Sequence, residues 1–133
     1  MWTGSEYALT WIEGAETGTA SVMMARLTPD GSVVDTAPCW EDLGTSYFEI
    51  PDLGWSGSEI LVGWSSQTLV GAARFDPLLN KLGGDLDVFS PGPDPSFGKP
   101  TGGAWSGSEF GFVWTGDSYG NLDLFFARAG YCE

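Results

Sequence analysis

The chain has 133 residues, of which 42% are apolar and 14% aromatic, a composition that supports a packed core and excludes a disordered tail. Acidic residues outnumber basic ones by 18 to 5, and the net charge of −13 argues against nucleic-acid or anionic-membrane partners. No apolar run reaches the roughly 20 residues that cross a bilayer, and residues 1–6 lack the basic start of a signal peptide. We expect a single domain over residues 1–133.

The first unit, predicted at residues 1–50, opens with Trp-Thr-Gly-Ser-Glu and reaches a second tryptophan, Trp11. The Gly-Ser pair between alternating residues predicts a tight hairpin with Trp2 opposite Tyr7. A further strand carries Arg26, a turn follows at Pro-Asp-Gly, and residues 33–39 predict another strand.

The same pattern starts again at Trp55 and at Trp105, so the spacing is 53 and then 50 residues. The second unit, residues 51–100, contains a strand over 85–89 and a connector over 91–100 whose four prolines predict that no central strand passes there. The third unit covers residues 101–133. Self-similarity at this period is typical of propellers and related arrays.

Residues two apart on a strand share a face, so each hairpin has a bulky side and a compact side. The bulky side, here called the front face, carries Trp2, Tyr7, Leu9, Trp11, then Trp55, Ile60, Val62, Trp64, and then Trp105, Phe110, Phe112, Trp114. The opposite side, the back face, carries small or aliphatic residues beyond the turn. A sheet with two apolar faces is buried on both, which predicts face-to-face stacking.

We therefore predict an all-β fold, a β-propeller-like array of about three four-stranded antiparallel blades whose terminal blades are incomplete. The alternative is a β-trefoil, because three repeats in 133 residues also match the size of that fold. Incomplete blades leave bare faces and strand edges, so we expect self-association or contact with neighbouring blades of a longer chain.

These motifs resemble the tandem repeats of bacterial secreted or surface proteins, which are frequent in myxobacteria and are taken to form β-propeller blades. The resemblance covers nearly the whole chain. It implies four strands per blade and an extracellular or cell-surface location, and it offers no established activity and no catalytic residue.

Four sets of residues, two charged and two aromatic, recur at equivalent positions of the three units. The glutamates and arginines predict ion pairs within each unit, and alternatively a rim of carboxylates that binds a cation or sugar hydroxyls. The tryptophans near the turns are candidate sugar-stacking residues, whereas the second tryptophans are expected in the core. The sets are Glu6, Glu59 and Glu109; Arg26, Arg74 and Arg128; Trp2, Trp55 and Trp105; and Trp11, Trp64 and Trp114.

The chain contains no histidine, which excludes His-dependent triads and His-based zinc sites. Cys39 and Cys132 stand 93 residues apart, and both a structural disulfide and two separate thiols stay open. Asp117, Asn121 and Asp123 are a weak calcium candidate, because their spacing departs from the known calcium loop and a hairpin tip explains them equally well. We expect no resident cofactor.

The sequence favours a non-catalytic, exported binding scaffold whose ligand is a glycan or a protein. The alternative is a polysaccharide hydrolase that uses two carboxylates, although no local signature selects a pair among the 18 acidic residues.

Overall fold

The computed structural model describes residues 1–14, 20–42, 49–65, 70–89, 97–118 and 121–130. All regular structure in these residues is β, as predicted. The strands are β1 Tyr7–Glu13, β2 Ala20–Leu27, β3 Val33–Asp42, β4 Glu49–Trp55, β5 Ile60–Ser65, β6 Val70–Phe75, β7 Leu86–Phe89, β8 Phe97–Trp105, β9 Glu109–Ser118 and β10 Asn121–Gly130. Within the same residues, no helix has the length and apolar character needed to span a membrane.

The strands form three antiparallel sheets, one for each repeat, in chain order. Sheet A is β1-β2-β3, sheet B is β4-β5-β6-β7 and sheet C is β8-β9-β10. Across the described residues these are three open sheets, whereas the β-trefoil alternative requires a closed barrel. The first strands of sheets B and C begin at Glu49 and Phe97, a few residues before the repeat boundaries predicted from the sequence.

Three equivalent hairpin turns follow from the Gly-Ser pairs. Gly4, Gly57 and Gly107 have φ of 104°, 100° and 106°, a left-handed conformation that glycine adopts without steric cost. The residue before each glycine donates its backbone N–H to the carbonyl of the repeated glutamate, at 2.9–3.0 Å. Trp2 pairs with Tyr7, as predicted.

Sheet B lies in the middle of the stack and is buried on both faces. All six residues of β5 are buried. Ile60, Val62 and Trp64 on its front face pack against the back face of sheet A. Leu61 on its back face packs against the front face of sheet C, which contributes Phe110, Phe112 and Trp114. We call these two layers the A–B core and the B–C core.

Glycines on the back face of sheet B make the close approach of sheet C possible. A Cβ atom on Gly63 would lie 3.1 Å from Cε1 of Phe112, and one on Gly54 would lie 3.1 Å from Cδ1 of Phe110. The Asp52 carboxylate on the same face accepts a hydrogen bond from the Gly103 N–H of sheet C. Ring-on-glycine packing and this hydrogen bond together hold the two sheets in register.

Two sequence expectations need correction. Burial of both faces holds for sheet B only, because the front face of sheet A exposes Tyr7 and Leu9, and the back face of sheet C exposes Leu124 and Phe126. The proline-rich connector also ends earlier than predicted, since β8 includes Pro100. β8 lies at the edge of sheet C, and its pairing with β9 shifts register on both sides of Pro100. An edge strand pairs on one side only, so it tolerates a residue without an N–H donor.

Filling the Gly63 position tests the nesting of sheet C on sheet B. We expect Gly63→Val to lower the free energy of unfolding by about 1–3 kcal/mol, because the added methyl groups displace the Phe112 ring. Gly84→Val is the control, since nothing lies within 4 Å of a Cβ at Gly84. Denaturant titration measures both. Adding Phe112→Leu to Gly63→Val should recover part of the lost stability, because it shortens the side chain that the valine displaces. No recovery in the double variant would contradict the contact between Gly63 and Phe112.

Candidate functional site

The three hairpin turns lie at the same end of the stack, which we call the rim. Thr3 and Glu6 of the first turn line a cleft together with Ile60, which directly follows the second turn. Gly54, just before the second turn, faces Phe110 and Gly103 beside the third. The β2–β3 and β6–β7 connections return to this end, so the rim comprises residues 2–6, 28–32, 55–59, 76–80 and 105–109.

The intra-unit ion pairs expected from the sequence are present in all three units. Arg26 Nε lies 2.8 Å from Glu6 Oε2, Arg74 Nη1 lies 3.4 Å from Glu59 Oε2, and Arg128 Nη1 lies 3.0 Å from Glu109 Oε1. Each pair joins neighbouring strands of one sheet on its back face. Each glutamate is therefore held by an arginine rather than directed toward a shared cation.

The repeated tryptophans fall into two environments. At the rim, Trp2 packs on Tyr7 and Trp105 packs on Phe110, with ring centroids 4.8 Å and 4.6 Å apart and tilted planes. Trp2 is exposed, whereas Trp55 and Trp105 are half-buried against the two cores. Of the second tryptophans, Trp64 and Trp114 are buried, whereas Trp11 is half-buried on the open front face of sheet A.

A cleft of about 210 Å³ opens at the rim between sheets A and B. Its walls combine the hydroxyl-bearing residues Thr3 and Ser5, the Glu6–Arg26 ion pair and an apolar surface that includes Leu78. Sequence reasoning found Glu6 and Arg26 through the repeat but missed Pro77 and Leu78, which also line the cleft. These two residues come from the β6–β7 turn of the next unit, so no local sequence signal links them to the first hairpin.

Two rim turns share one hydrogen-bond scheme although their sequences differ. In both, a backbone N–H bonds the carbonyl four residues later, from Thr28 to Ser32 and from Asp76 to Asn80. Asn80 lowers the pKa of Asp76 through side-chain and backbone hydrogen bonds, and the Thr28 side chain is the main cause of a lowered pKa at Asp30.

Leu79 occupies the left-handed position of its turn. Its φ is 66°, and the equivalent residue in sheet A is Gly31, with a φ of 87°. A leucine is strained in this conformation. Because Leu79 is buried in the A–B core, the burial of its side chain offsets the backbone strain.

Cys39 is a buried cysteine of β3 with no disulfide among the described residues, and Cys132, its partner in one of the two alternatives open from the sequence, lies outside them. Burial raises the pKa of the Cys39 thiol to about 12, against a smaller opposing effect of the Lys81 charge. Lys81 Nζ donates a hydrogen bond to the Cys39 carbonyl at 3.2 Å, which ties sheet B to sheet A. Trp40 beside it stacks on Trp64 at 5.9 Å between centroids.

The calcium candidates are on the β9–β10 hairpin, away from the rim. Asp117 pairs with Leu122, Asn121 with Ser118, and Asp123 with Gly116. Asp123 is exposed, and the side chains of the other two candidates lie outside the described part. Over the residues described, no group of three or more His, Cys, Asp or Glu side chains is placed to hold a metal ion.

Comparison of the chain with protein-family models, with curated proteins and with solved structures found no match. The features of the molecule that bear on its function are those of the rim. It offers exposed aromatic surface, fixed charge pairs and a cleft between two sheets.

Two substitutions of Leu79 measure separately what its burial contributes to stability and what its left-handed backbone conformation costs. We expect Leu79→Ala to destabilise the fold by about 2–4 kcal/mol. Leu79→Gly should cost about 1 kcal/mol less, because glycine adopts the left-handed conformation freely. Gly31→Ala is the matched control: its open surroundings predict a loss of about 1 kcal/mol from φ alone. If Leu79→Ala and Leu79→Gly lowered the free energy of unfolding equally, the backbone at position 79 would not be strained.

Thiol labelling tests the environment of Cys39. In a Cys132→Ser variant at pH 8, we expect a disulfide reagent to label Cys39 at least about 100-fold more slowly in the native protein than in denaturant, because burial disfavours the thiolate. Rapid native labelling would contradict this. Counting thiols in the unreduced, denatured wild type separates the two alternatives for the cysteines, since a disulfide leaves neither thiol free.

Proposed function

We propose that this chain is a non-catalytic binding module of the β-propeller type, and that its rim binds saccharide outside the cell. The propeller interpretation is supported by the stacking order, in which each sheet is one repeat and the front faces of sheets B and C each pack on the back face of the preceding sheet. The extracellular location rests on the resemblance to exported repeat proteins.

The observation that carries the proposal is the rim cleft between sheets A and B. Saccharides present an apolar C–H face and a ring of hydroxyls, and a binding site for them combines an aromatic surface with fixed polar groups. Tyr7 lines the cleft, and the exposed Trp2 ring packs on it from the front face of sheet A, so this pair of rings supplies the aromatic surface. The Glu6–Arg26 pair supplies the polar groups within the cleft. An ion pair fixed by neighbouring strands gives hydroxyl groups an oriented acceptor and an oriented donor.

The charge of the chain restricts the class of saccharide. A net charge of −13 repels sulfated or uronic-acid glycans at moderate ionic strength. Neutral and amino sugars do not meet this repulsion. We therefore propose neutral or amino-substituted saccharides as the ligand class.

A glycan array with rim variants tests this function. We expect the wild type to bind a subset of neutral or amino glycans, and Trp2→Ala and Glu6→Gln to weaken that binding by about tenfold or more, a loss of about 1.4 kcal/mol. Glu13→Gln is the matched control, because it makes the same change on the exposed far end of β1. Its affinity should equal that of the wild type.

Two outcomes would overturn the proposal. Absence of binding to every glycan would remove saccharide as the ligand class. Release of reducing ends from a polysaccharide by the wild type, abolished by a carboxylate substitution, would replace the binding module with the hydrolase alternative.

A further inference from the structure

The back face of sheet C is exposed at positions that the other two sheets bury. Leu124 and Phe126 stand four and two residues before the repeated arginine of their unit, and they are 71% and 64% exposed. The residues at the same distances from the arginine in sheet A are Val22 and Met24, both at 0%. In sheet B they are Val70 and Ala72, at 4% and 0%. Sheet C thus lacks the covering sheet that its two equivalents have.

The front face of sheet A shows the complementary exposure. Leu9 is 39% exposed, whereas the equivalent residues Val62 and Phe112 are 0% and 7% exposed. Tyr7 is likewise exposed, although its equivalents Ile60 and Phe110 are buried. The stack therefore ends in one bare front face and one bare back face.

The bare faces match each other in the way the packed ones do. In the B–C core, the large rings of Phe110 and Phe112 meet Gly54 and Gly63. At the equivalent positions of the bare faces, Tyr7 corresponds to Phe110 and Ala104 corresponds to Gly54. At the second position, Leu9 on the bare front face is smaller than its equivalent Phe112. Val113 on the bare back face is larger than its equivalent Gly63. If the two bare faces were brought together in the same arrangement, large residues would meet small ones, and the smaller front residue would meet the larger back residue.

A shallow groove of about 440 Å³ is present on the back face of sheet C at this place. It is lined by Gly102, Gly103, Ala104, Gly111, Val113 and Phe126. A Cβ on Gly111 would lie 3.0 Å from the Phe126 ring, so the glycine makes room for that ring on the face. The groove is apolar and small-residue-lined, like the surface of sheet B that receives sheet C.

We propose that the front face of sheet A docks on the back face of sheet C of a second copy of this chain, head to tail. The contact continues the front-on-back order already present twice within the chain. Two copies related by a two-fold axis would make this contact twice and cover all four bare faces. The proposal rests on the propeller-type stacking above. Docking would place Trp2 at the edge of the new contact, as Trp55 and Trp105 lie at the edges of the two cores, and would leave the cleft between sheets A and B in place.

The negative charges of the two copies repel each other, and added salt screens this repulsion. Each copy carries −13, so docking brings two acidic molecules together. Apolar contact must exceed that repulsion. Raising ionic strength screens the repulsion, and the pair should therefore become tighter as salt increases.

Light scattering coupled to size-exclusion chromatography tests the second copy. We expect the wild type to have twice the 14.2 kDa chain mass at micromolar concentration. Leu9→Lys and Leu124→Lys should each raise the dissociation constant at least about 100-fold, because each would bury an unpaired charge. Leu78→Lys is the matched control, since Leu78 is an exposed leucine on neither bare face. Circular dichroism checks that every variant is folded.

Mixing the two face variants distinguishes head-to-tail docking from other pairs. An equimolar mixture retains one intact contact, between the front of the Leu124→Lys chain and the back of the Leu9→Lys chain, and it should show a pair that neither variant forms alone. Front-to-front docking predicts that Leu124→Lys stays paired with itself, and that result would overturn the proposal. A monomeric wild type at high salt would overturn it as well.

The two proposals fail separately. A monomer that still binds glycans through Trp2 would remove the second copy and leave the rim site intact. A pair that binds no glycan would remove saccharide binding and leave the docking intact.

Discussion

The close packing of a phenylalanine ring on a glycine between adjacent sheets determines the arrangement of this molecule. Phe112 on Gly63 and Phe110 on Gly54 let sheet C approach sheet B with no side chain between ring and backbone. A sheet covered on one side only would alternate apolar and polar residues, but β5 is buried at all six positions because both of its faces are covered. The apolar area removed from water on the two sides of β5 is the main driving force for the stack.

The rim depends on this packing. Each ion pair belongs to one sheet and is set by strand register, so the three pairs would form in isolated sheets of the same register. The cleft is different, because Thr3 and Glu6 meet Leu78 only when sheets A and B are stacked. A ligand site at this place is therefore a property of the stack, and the Lys81 to Cys39 hydrogen bond joins the same two sheets.

The bare faces connect the proposed assembly to the proposed function. Docking of a second copy would add a further sheet in front of the exposed Trp2. Trp2 would then lie at the edge of a core, in the same environment as Trp55 and Trp105. A further cleft equivalent to the one between sheets A and B would then form at the new contact. Multiple equivalent clefts on one rim raise avidity for a repeating ligand such as a polysaccharide.

The sequence by itself determined the all-β class, the hairpins at the three glycines, the pairing of Trp2 with Tyr7 and the three glutamate–arginine pairs. These features depend on contacts between residues close in the chain or between adjacent strands, and the period of two and the turn chemistry encode them directly. The prolines correctly predicted that no central strand passes over 91–100, whereas the strand that begins at Phe97 was not predicted, because composition does not reveal an edge position that tolerates a proline.

Only the tertiary structure decided which faces are buried and where the cleft lies. Front faces with the same bulky pattern are buried in sheets B and C and exposed in sheet A, because burial depends on whether another sheet is placed opposite, and no residue within a repeat encodes that. Leu78 joins the cleft, and Leu79 keeps a strained backbone, through packing between different units. Contacts of this kind are set by the order in which the sheets stack, so they become visible only when all three sheets are in place.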